Sequence, residues 1–452
     1  MTCSRAVFRL GLALLVVTAA ASGHAAPLRA LSSNPRYLTD ESGKAIYLTG
    51  SHERNNFQAA VAGAGGLRRL AFDEYLNVLQ GSNHNFIRLW TWEDGRWEPL
   101  PYTRTGPGTA RDGRPKFDLT SFYQAYFDEL RTRVTVARDR GFHVGVMLFQ
   151  GWSIVNGRYG RGYVAWDFHP LHRDNNVNGI DGDADGNGEG EEVHTLRSPT
   201  IVALQKTYVR KMIDTLNDLD NIVWEISNES PGESKHWQYE MIDYVRRLES
   251  VRSKQHLVWM SATWDPRDAD LFDGPADIVS PHWKGGIGDY KNRPPASSGR
   301  KVIINDSDHL AGATADAQLI WKSFARGLHV IVIDGRLNRL GWPTGNYREA
   351  MGHTRTYADR MNLAAMTPRG DLTSTGYALA NPGAEYLVYQ PGSGPFKVSL
   401  VPGTYRYEWF DPTSGSVAET GTLTGRGPPW FKPPFGGHAV LHLRRMTSRT
   451  EH

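Results

Sequence analysis

A single cysteine, Cys3, occurs in the 452 residues. It falls in an N-terminal stretch with the grammar of an export signal. Arg5 and Arg9 form a basic n-region, Leu10 to Ala21 is an apolar run too short to span a bilayer, and Gly23-His24-Ala25 offers a small-residue cleavage site. With residues 1–25 as signal, the mature chain is expected to start near Ala26 without a thiol, which excludes cysteine catalysis, zinc-thiolate sites and disulfides. The expected location is periplasmic or secreted. No later run is long and apolar enough for a membrane span after signal removal. Charge of one sign is also missing: 51 basic residues oppose 48 acidic ones and no dense basic run occurs, so nucleic acid is not an expected partner. Gly285-Gly286-Ile287-Gly288 lacks the Lys-Ser/Thr of a phosphate loop, and no organic cofactor is expected.

Aromatics are plentiful, with 14 Trp and 19 Tyr, alongside 47 Gly. Tryptophan offers a flat apolar face with a polar N–H, which suits sugar rings, although any one Trp is more often a core anchor. Along the chain, Arg36-Tyr37-Leu38-Thr39 and Ala45-Ile46-Tyr47-Leu48-Thr49-Gly50 read as a hairpin. Helix-type spacing near Phe72 to Gln80 and from Asp118 through Asp139 alternates with apolar strand runs at Phe86, Val144, Ile222, Leu257, Asp277, Lys301 and Val330. Counted from Ile46 this makes eight strands. Such alternation predicts an α/β fold, a (β/α)8 TIM barrel over 26–375 with an N-terminal hairpin and an inserted acidic loop at 156–197. Over 380–445 short strands separated by Pro/Gly/Ser turns predict a small C-terminal β-sandwich, an accessory module.

The stretch Asn221-Ile222-Val223-Trp224-Glu225-Ile226-Ser227-Asn228-Glu229-Ser230 starts as a buried strand and ends on polar residues where Pro231-Gly232 begins a turn. Catalytic groups of such barrels sit at the C-terminal ends of strands. Other strand ends carry His52 and Asn55, Arg88 and Trp90, Gln150 and Trp152, Trp264, His282, Asp306, Asp308 and His309, and Asp334. Carboxyl groups from different strands at one mouth repel by several kcal/mol unless one is protonated. Glycosidic bond hydrolysis needs that arrangement, an acid to protonate the leaving oxygen and a carboxylate to attack or to activate water. Glu229, Asp306, Asp308 and Asp334 are the carboxyl groups that could supply it, and Asp306 and Asp308, two residues apart in an extended segment, point the same way. His52, Asn55, Arg88, Trp90, Gln150, Trp152, Asn228, Trp264, His282, Asp308, His309 and Asp334 are expected to contact substrate.

Trp224-Glu225-Ile226-Ser227-Asn228-Glu229 resembles the fourth-strand signature of the cellulase-like clan of retaining glycoside hydrolases, in which that glutamate is the acid/base. The clan's seventh-strand nucleophile is a glutamate, where this chain has Val302-Ile303-Ile304-Asn305-Asp306, so the resemblance implies Glu229 and Asp306 as the expected catalytic pair, with Asp308 the rival. Leu48-Thr49-Gly50-Ser51-His52 with Asn55-Asn56-Phe57, Asn305-Asp306-Ser307-Asp308-His309-Leu310, Trp321-Lys322-Ser323-Phe324 and the terminal module resemble the narrower apiosidase-like barrel family. That family's C-terminal module carries the label of a collagen-binding domain of a collagenase. The resemblance implies a retaining enzyme acting on cell-wall or extracellular polysaccharides, furanosides such as apiose or arabinose among them. The shorter aspartate leaves an inverting geometry open. A non-catalytic glycan-binding or collagen-binding surface protein is the alternative.

Asp181, Asp183, Asp185, Gly186, Asn187, Glu189 and Glu192 follow the calcium-loop spacing D-x-D-x-D-G-x5-E. So many carboxylates in so few residues repel without a cation, and structural Ca2+ held by Asp181, Asp183, Asp185, Asn187 and Glu192 is expected. His169, His172 and His194 border this loop but lack any H-E-x-x-H spacing, and read as hydrogen-bonding residues.

Overall fold

The computed structural model describes residues 26–61, 71–157, 162–282, 289–310, 316–334 and 346–446. The expected export signal and the glycine run 285–288 lie outside the described residues. Eight parallel strands form one sheet: β1 (Thr49–His52), β2 (Phe86–Leu89), β3 (His143–Gln150), β4 (Ile222–Asn228), β5 (Val258–Ser261), β6 (Ile278–Ser280), β7 (Val302–Asp306) and β8 (His329–Ile333). Each pairs with the next in chain order from β2 to β8, and β8 pairs with β1. All eight expected strands are present, and the result is a nearly closed (β/α)8 barrel.

The seam between β1 and β2 is closed by one side chain. Asn85 accepts from the Thr49 amide at 3.0 Å, donates to the Tyr47 carbonyl at 2.8 Å, and gives its own amide to the Thr49 carbonyl at 3.1 Å. Gly50 makes this approach possible, because a Cβ there would lie 1.9 Å from the Phe86 carbonyl oxygen.

The strands are buried on both faces, which is why they read as continuous apolar runs. Leu48, Phe86, Val223, Trp259, Ile278, Val302, Ile304 and Ile331 fill the interior, with Leu28 and Leu38 in the same cluster. Their neighbours Ile87, Val146, Trp224, Ile226, Met260, Ile303 and Val330 point outward into the larger core. The outer layer is α1 (Phe72–Gly81), α2 (Gln124–Asp139), α3 (Pro199–Leu216), α4 (Lys235–Glu249), the short α5 (Asp268–Phe272), α6 (Ala317–Ala325) and α7 (Tyr347–Arg360). Ser198 caps α3 and Pro199 occupies its first turn. Among the described residues no helix is long and apolar enough to cross a membrane. The N-terminal hairpin reduces to an antiparallel bridge, Leu38 with Ile46.

One expected element differs. The helix does not begin near Asp118. Residues Pro115–Phe122 form a strand paired with Tyr102–Thr109, and helix starts only at Gln124. The Asp118 carboxylate accepts from the Thr120 amide at 2.9 Å and hydroxyl at 2.6 Å, so the apparent helix cap is a local turn.

Beyond α7, β9 (Ala378–Asn381), β10 (Glu385–Gln390), β11 (Leu400–Asp411), β12 (Ser416–Gly427) and β13 (Ala439–Arg445) build an antiparallel sheet in the order β9-β10-β13-β11-β12, with Thr367–Pro368 beside β9. A two-stranded sheet of Phe396–Lys397 and Trp430–Phe431 is the smaller partner. One face of the large sheet buries Tyr386, Val388, Tyr405, Trp409 and Leu441 with Phe396 and Phe431. The other face places Leu387, Tyr389, Phe410 and Val440 in the core of the barrel helices, where Trp321 stacks on Tyr389 with centroids 6.2 Å apart. The module is thus continuous with the barrel core.

Gly50→Ala is expected to destabilise the protein by about 3 kcal/mol or more, because the clash is with backbone and has no rotamer to relieve it. Melting unchanged from wild type would show that the seam yields.

Candidate active site

The strand carrying the opening motif delivers its side chains in two directions. Val223 and Glu225 face the barrel interior, Trp224 and Ile226 the helices. Above the apolar plug, Glu225 meets Arg88 of β2 in a two-pronged pair, Nε to Oε2 at 2.7 Å and Nη2 to Oε1 at 2.5 Å, with neither side chain accessible to solvent. The same guanidinium donates to Asn228 Oδ1 at 2.7 Å and to Asp306 Oδ2 at 3.1 Å, and reaches Asp308 Oδ2 at 3.5 Å. Trp90 and Trp259 lie against it at 4.9 and 5.2 Å. One cation therefore joins β2, β4 and β7.

Asp306 ends β7. It accepts from the Asp308 amide at 3.0 Å and lies 3.2 Å from His52 Nε2. Burial opposes its charge, but His52 and Arg88 outweigh burial and hold the carboxyl well below the usual carboxylate range. Asp308 sits one turn further on, partly exposed. Burial and then the Asp306 charge push its carboxyl up, against the pull of Arg88.

Glu229 adopts φ 41°, a left-handed conformation that turns the chain sharply out of β4. Gly151 admits that turn, since a Cβ at 151 would lie 2.0 Å from the Glu229 carbonyl oxygen. The Glu229 carboxyl receives the indole N–H of Trp152 at 2.5 Å. Burial first, then the neighbouring Asp308, raise its pKa to about 8, despite Trp152. Burial and charge therefore favour the protonated form of Glu229 beside the aspartate pair.

Of the residues expected to contact substrate, Trp152, Trp264, His282 and Asp308 are half-buried and within reach of the mouth. Trp152 and Trp264 lie 6.2 Å apart. His52, Asn55, Arg88, Trp90, Gln150, Asn228 and His309 are buried and form a supporting layer. Asn228 donates to Gln150 Oε1 at 3.0 Å and lies 3.1 Å from His309 Nε2, while His52 stacks on Trp90. Asp306 is itself fully buried, whereas Asp308 is partly exposed. Asp334 is only 1% exposed and is paired with Arg348 of α7, which braces β8 against the helix layer.

Sequence reading missed Glu225, whose inward register two residues after Val223 was its signal, and Glu93. The Glu93 carboxylate accepts the Gln150 amide at 2.6 Å and lies 3.5 Å from His194 and 3.7 Å from His169. Burial opposes its ionisation, but the two histidines hold its pKa at about 2. Beside this layer Trp92, Arg96, Trp97, Arg114 and Tyr163 line a cavity of about 1000 Å³. Tyr163 donates to the Trp152 carbonyl at 2.8 Å, which ties the cavity wall to the site. None of the three acids lines the cavity, so the chemistry is placed by the acids and the cavity is read as its flank.

In the acidic loop, Asp183, Asp185 and Glu192 bring carboxylate oxygens within 4.8 Å of one another. The two other expected ligands, Asp181 and Asn187, have partners of their own. Asp181 faces Arg173 at 3.7 Å, and the Asn187 side-chain oxygen accepts the Glu189 amide at 2.8 Å.

Arg88→Met should cost about 3–5 kcal/mol, since it strands Glu225 and Asp306 without their cation. Adding Glu225→Gln should recover part of the loss in chemical denaturation, and no recovery would argue against the pair. Folded Glu229 keeps its proton to about pH 8, whereas an ordinary glutamate loses it at 4.5. Its stabilising contribution is thus full below pH 4.5 and lost as pH rises to about 8. Glu229→Gln removes that dependence, so the variant should melt increasingly above wild type from pH 5 to 8. Parallel melting curves would contradict the raised pKa.

Residues 82–279 match the family model described as a domain of unknown function, DUF6298. Among curated proteins none matches the chain. Solved structures with similar folds include one described as a glycoside hydrolase, 15% identical, covering 94% of this chain and 98% of that one at a TM-score of 0.61. A glycoside hydrolase family 5 protein from Bacteroides vulgatus is 14% identical over 93% of each chain, TM-score 0.60. At these identities the likeness establishes a shared fold, a (β/α)8 barrel followed by antiparallel sheet.

Proposed function

We propose that the protein is an exported glycoside hydrolase that cleaves O-glycosidic bonds of a cell-wall or extracellular polysaccharide with retention of configuration. The reading is carried by one observation: at the C-terminal mouth of the barrel burial first, and then the neighbouring Asp308, raise the pKa of Glu229 to about 8, so an acid that holds its proton sits beside a second carboxyl group. Structural neighbours described as glycoside hydrolases support the same class.

In this reading Glu229 protonates the departing glycosidic oxygen, and its raised pKa keeps that proton available at neutral pH. Asp308 attacks the anomeric carbon to form a glycosyl-enzyme ester. Deprotonated Glu229 then takes a proton from water, whose oxygen displaces Asp308. Asp306 serves as a positioning residue: it binds the Asp308 amide and carries the negative charge that Arg88 and His52 stabilise. Trp152, which bonds Glu229, and its neighbour Trp264 offer faces for sugar rings.

Reducing-end release from a polysaccharide panel identifies the substrate. With it, Glu229→Gln and Asp308→Asn should each lower kcat by about 10²–10⁴-fold, and the wild-type rate should fall as pH rises through about 8. A 2-deoxy-2-fluoro glycoside of the substrate sugar should label Asp308 in mass spectrometry. Label on Asp306 would reverse the two roles, and Glu229→Gln activity within tenfold of wild type would sink the acid assignment.

A further inference from the structure

The excursion between β3 and α3 is folded around its own apolar centre, with Ile154, Val155, Trp166, Leu171 and Val193 packed together. Its acidic segment is wound tightly. The Asp183 carboxylate accepts the amides of Gly186 at 2.8 Å, Asn187 at 3.0 Å and Gly188 at 2.9 Å, and Gly186 takes φ +76° at the turn. Glu192 projects from the 3-10 turn Glu191–His194 toward the same point. It is 3% exposed, and its Oε2 is buried without a hydrogen-bond partner, while Oε1 meets Arg197 at 3.3 Å. Burial and then the Asp185 carboxylate push Glu192 above the usual range. Arg197 is shared with Glu233 at 2.7 Å, so this one guanidinium balances little of the three carboxylates.

We propose that Asp183, Asp185 and Glu192 form a Ca2+ site, with the buried Oε2 of Glu192 as the oxygen that the ion completes. Hard carboxylate oxygens without nitrogen or sulfur donors suit calcium. The cluster departs from the register of the sequence motif, because Asp181 is turned to Arg173 and Glu189 accepts the Asn156 amide at 2.5 Å. The ion acts as a clasp. Glu192 shares its turn with His194, whose ring stacks on Trp237 at 4.4 Å and whose Nδ1 meets Ser230 Oγ at 2.9 Å, directly after Glu229. Binding therefore fastens the excursion to the end of β4.

The test uses the full chain stripped with chelator and titrated with CaCl2 by calorimetry, with melting followed in parallel. One saturable site with a Kd of about 10⁻³ M or tighter is expected, with a rise in melting temperature reversed by chelator. Glu192→Gln and Asp183→Asn should each weaken binding about tenfold or more, whereas Asp181→Asn should leave it within about twofold. Neither heat nor a melting shift in the wild-type chain overturns the site whatever the variants do. Loss of binding in Asp181→Asn with retention in Glu192→Gln overturns the cluster in favour of the motif register. These readouts do not depend on catalysis, so they stand apart from the proposed glycosidase activity.

Discussion

The Arg88 guanidinium carries the site. It lies wholly inside the barrel, one layer above the plug formed by Phe86, Trp259 and Ile304, and no water reaches it. A buried cation survives only when its donors are matched, and here Glu225 takes two, while Asn228 and the aspartates take the rest. The balance is left negative, two buried carboxylates against one guanidinium. Electrostatic influence then passes outward: Arg88 and His52 keep Asp306 ionised, the Asp306 charge raises Asp308, and Asp308 raises Glu229. Burial is the larger cause at both Asp308 and Glu229, and these charges add to it.

The architecture around this layer holds it still. Barrel strands supply Arg88, Glu225 and Asp306 from three directions, and rigid strands place side chains more accurately than loops do. Glu229 is the exception, set on a left-handed turn just beyond β4 and admitted by Gly151. Such a conformation costs energy for a residue with a side chain, and strain of this kind is tolerated where the surroundings over-determine it. Trp152 on one side and the Ser230 to His194 contact on the other supply that constraint. The same His194 and its neighbour His169 flank Glu93, so the excursion after β3 is a wall of the site as well as an acidic loop. The C-terminal sheet contributes from behind, sharing its core with α6 and α7 through Trp321, Tyr357 and Phe410.

Several particulars show what a one-dimensional pattern can carry. Eight doubly buried strands stand out as apolar runs because both faces need apolar residues, and polar residues crowd their C-terminal ends. The helix expected from Asp118 fails because an aspartate bonding two residues ahead looks alike at a helix start and within an irregular strand. Glu225 went unnoticed because strand alternation, which turns it inward, is hidden when both neighbours are apolar.

By itself, then, the sequence determined the barrel, its order of strands, the antiparallel tail and the small set of polar residues that could meet at one mouth. These follow from local periodicity and chain order. Which of them touch solvent, which are buried beneath, and which carboxyl keeps its proton were decided only by the tertiary structure. Asp306 and Asp308 differ by two positions in the chain, yet one is sealed against Arg88 and the other faces Glu229. The reason is that burial and charge coupling depend on distances across strands, and residues from 88 to 308 share one buried cation that no local pattern encodes.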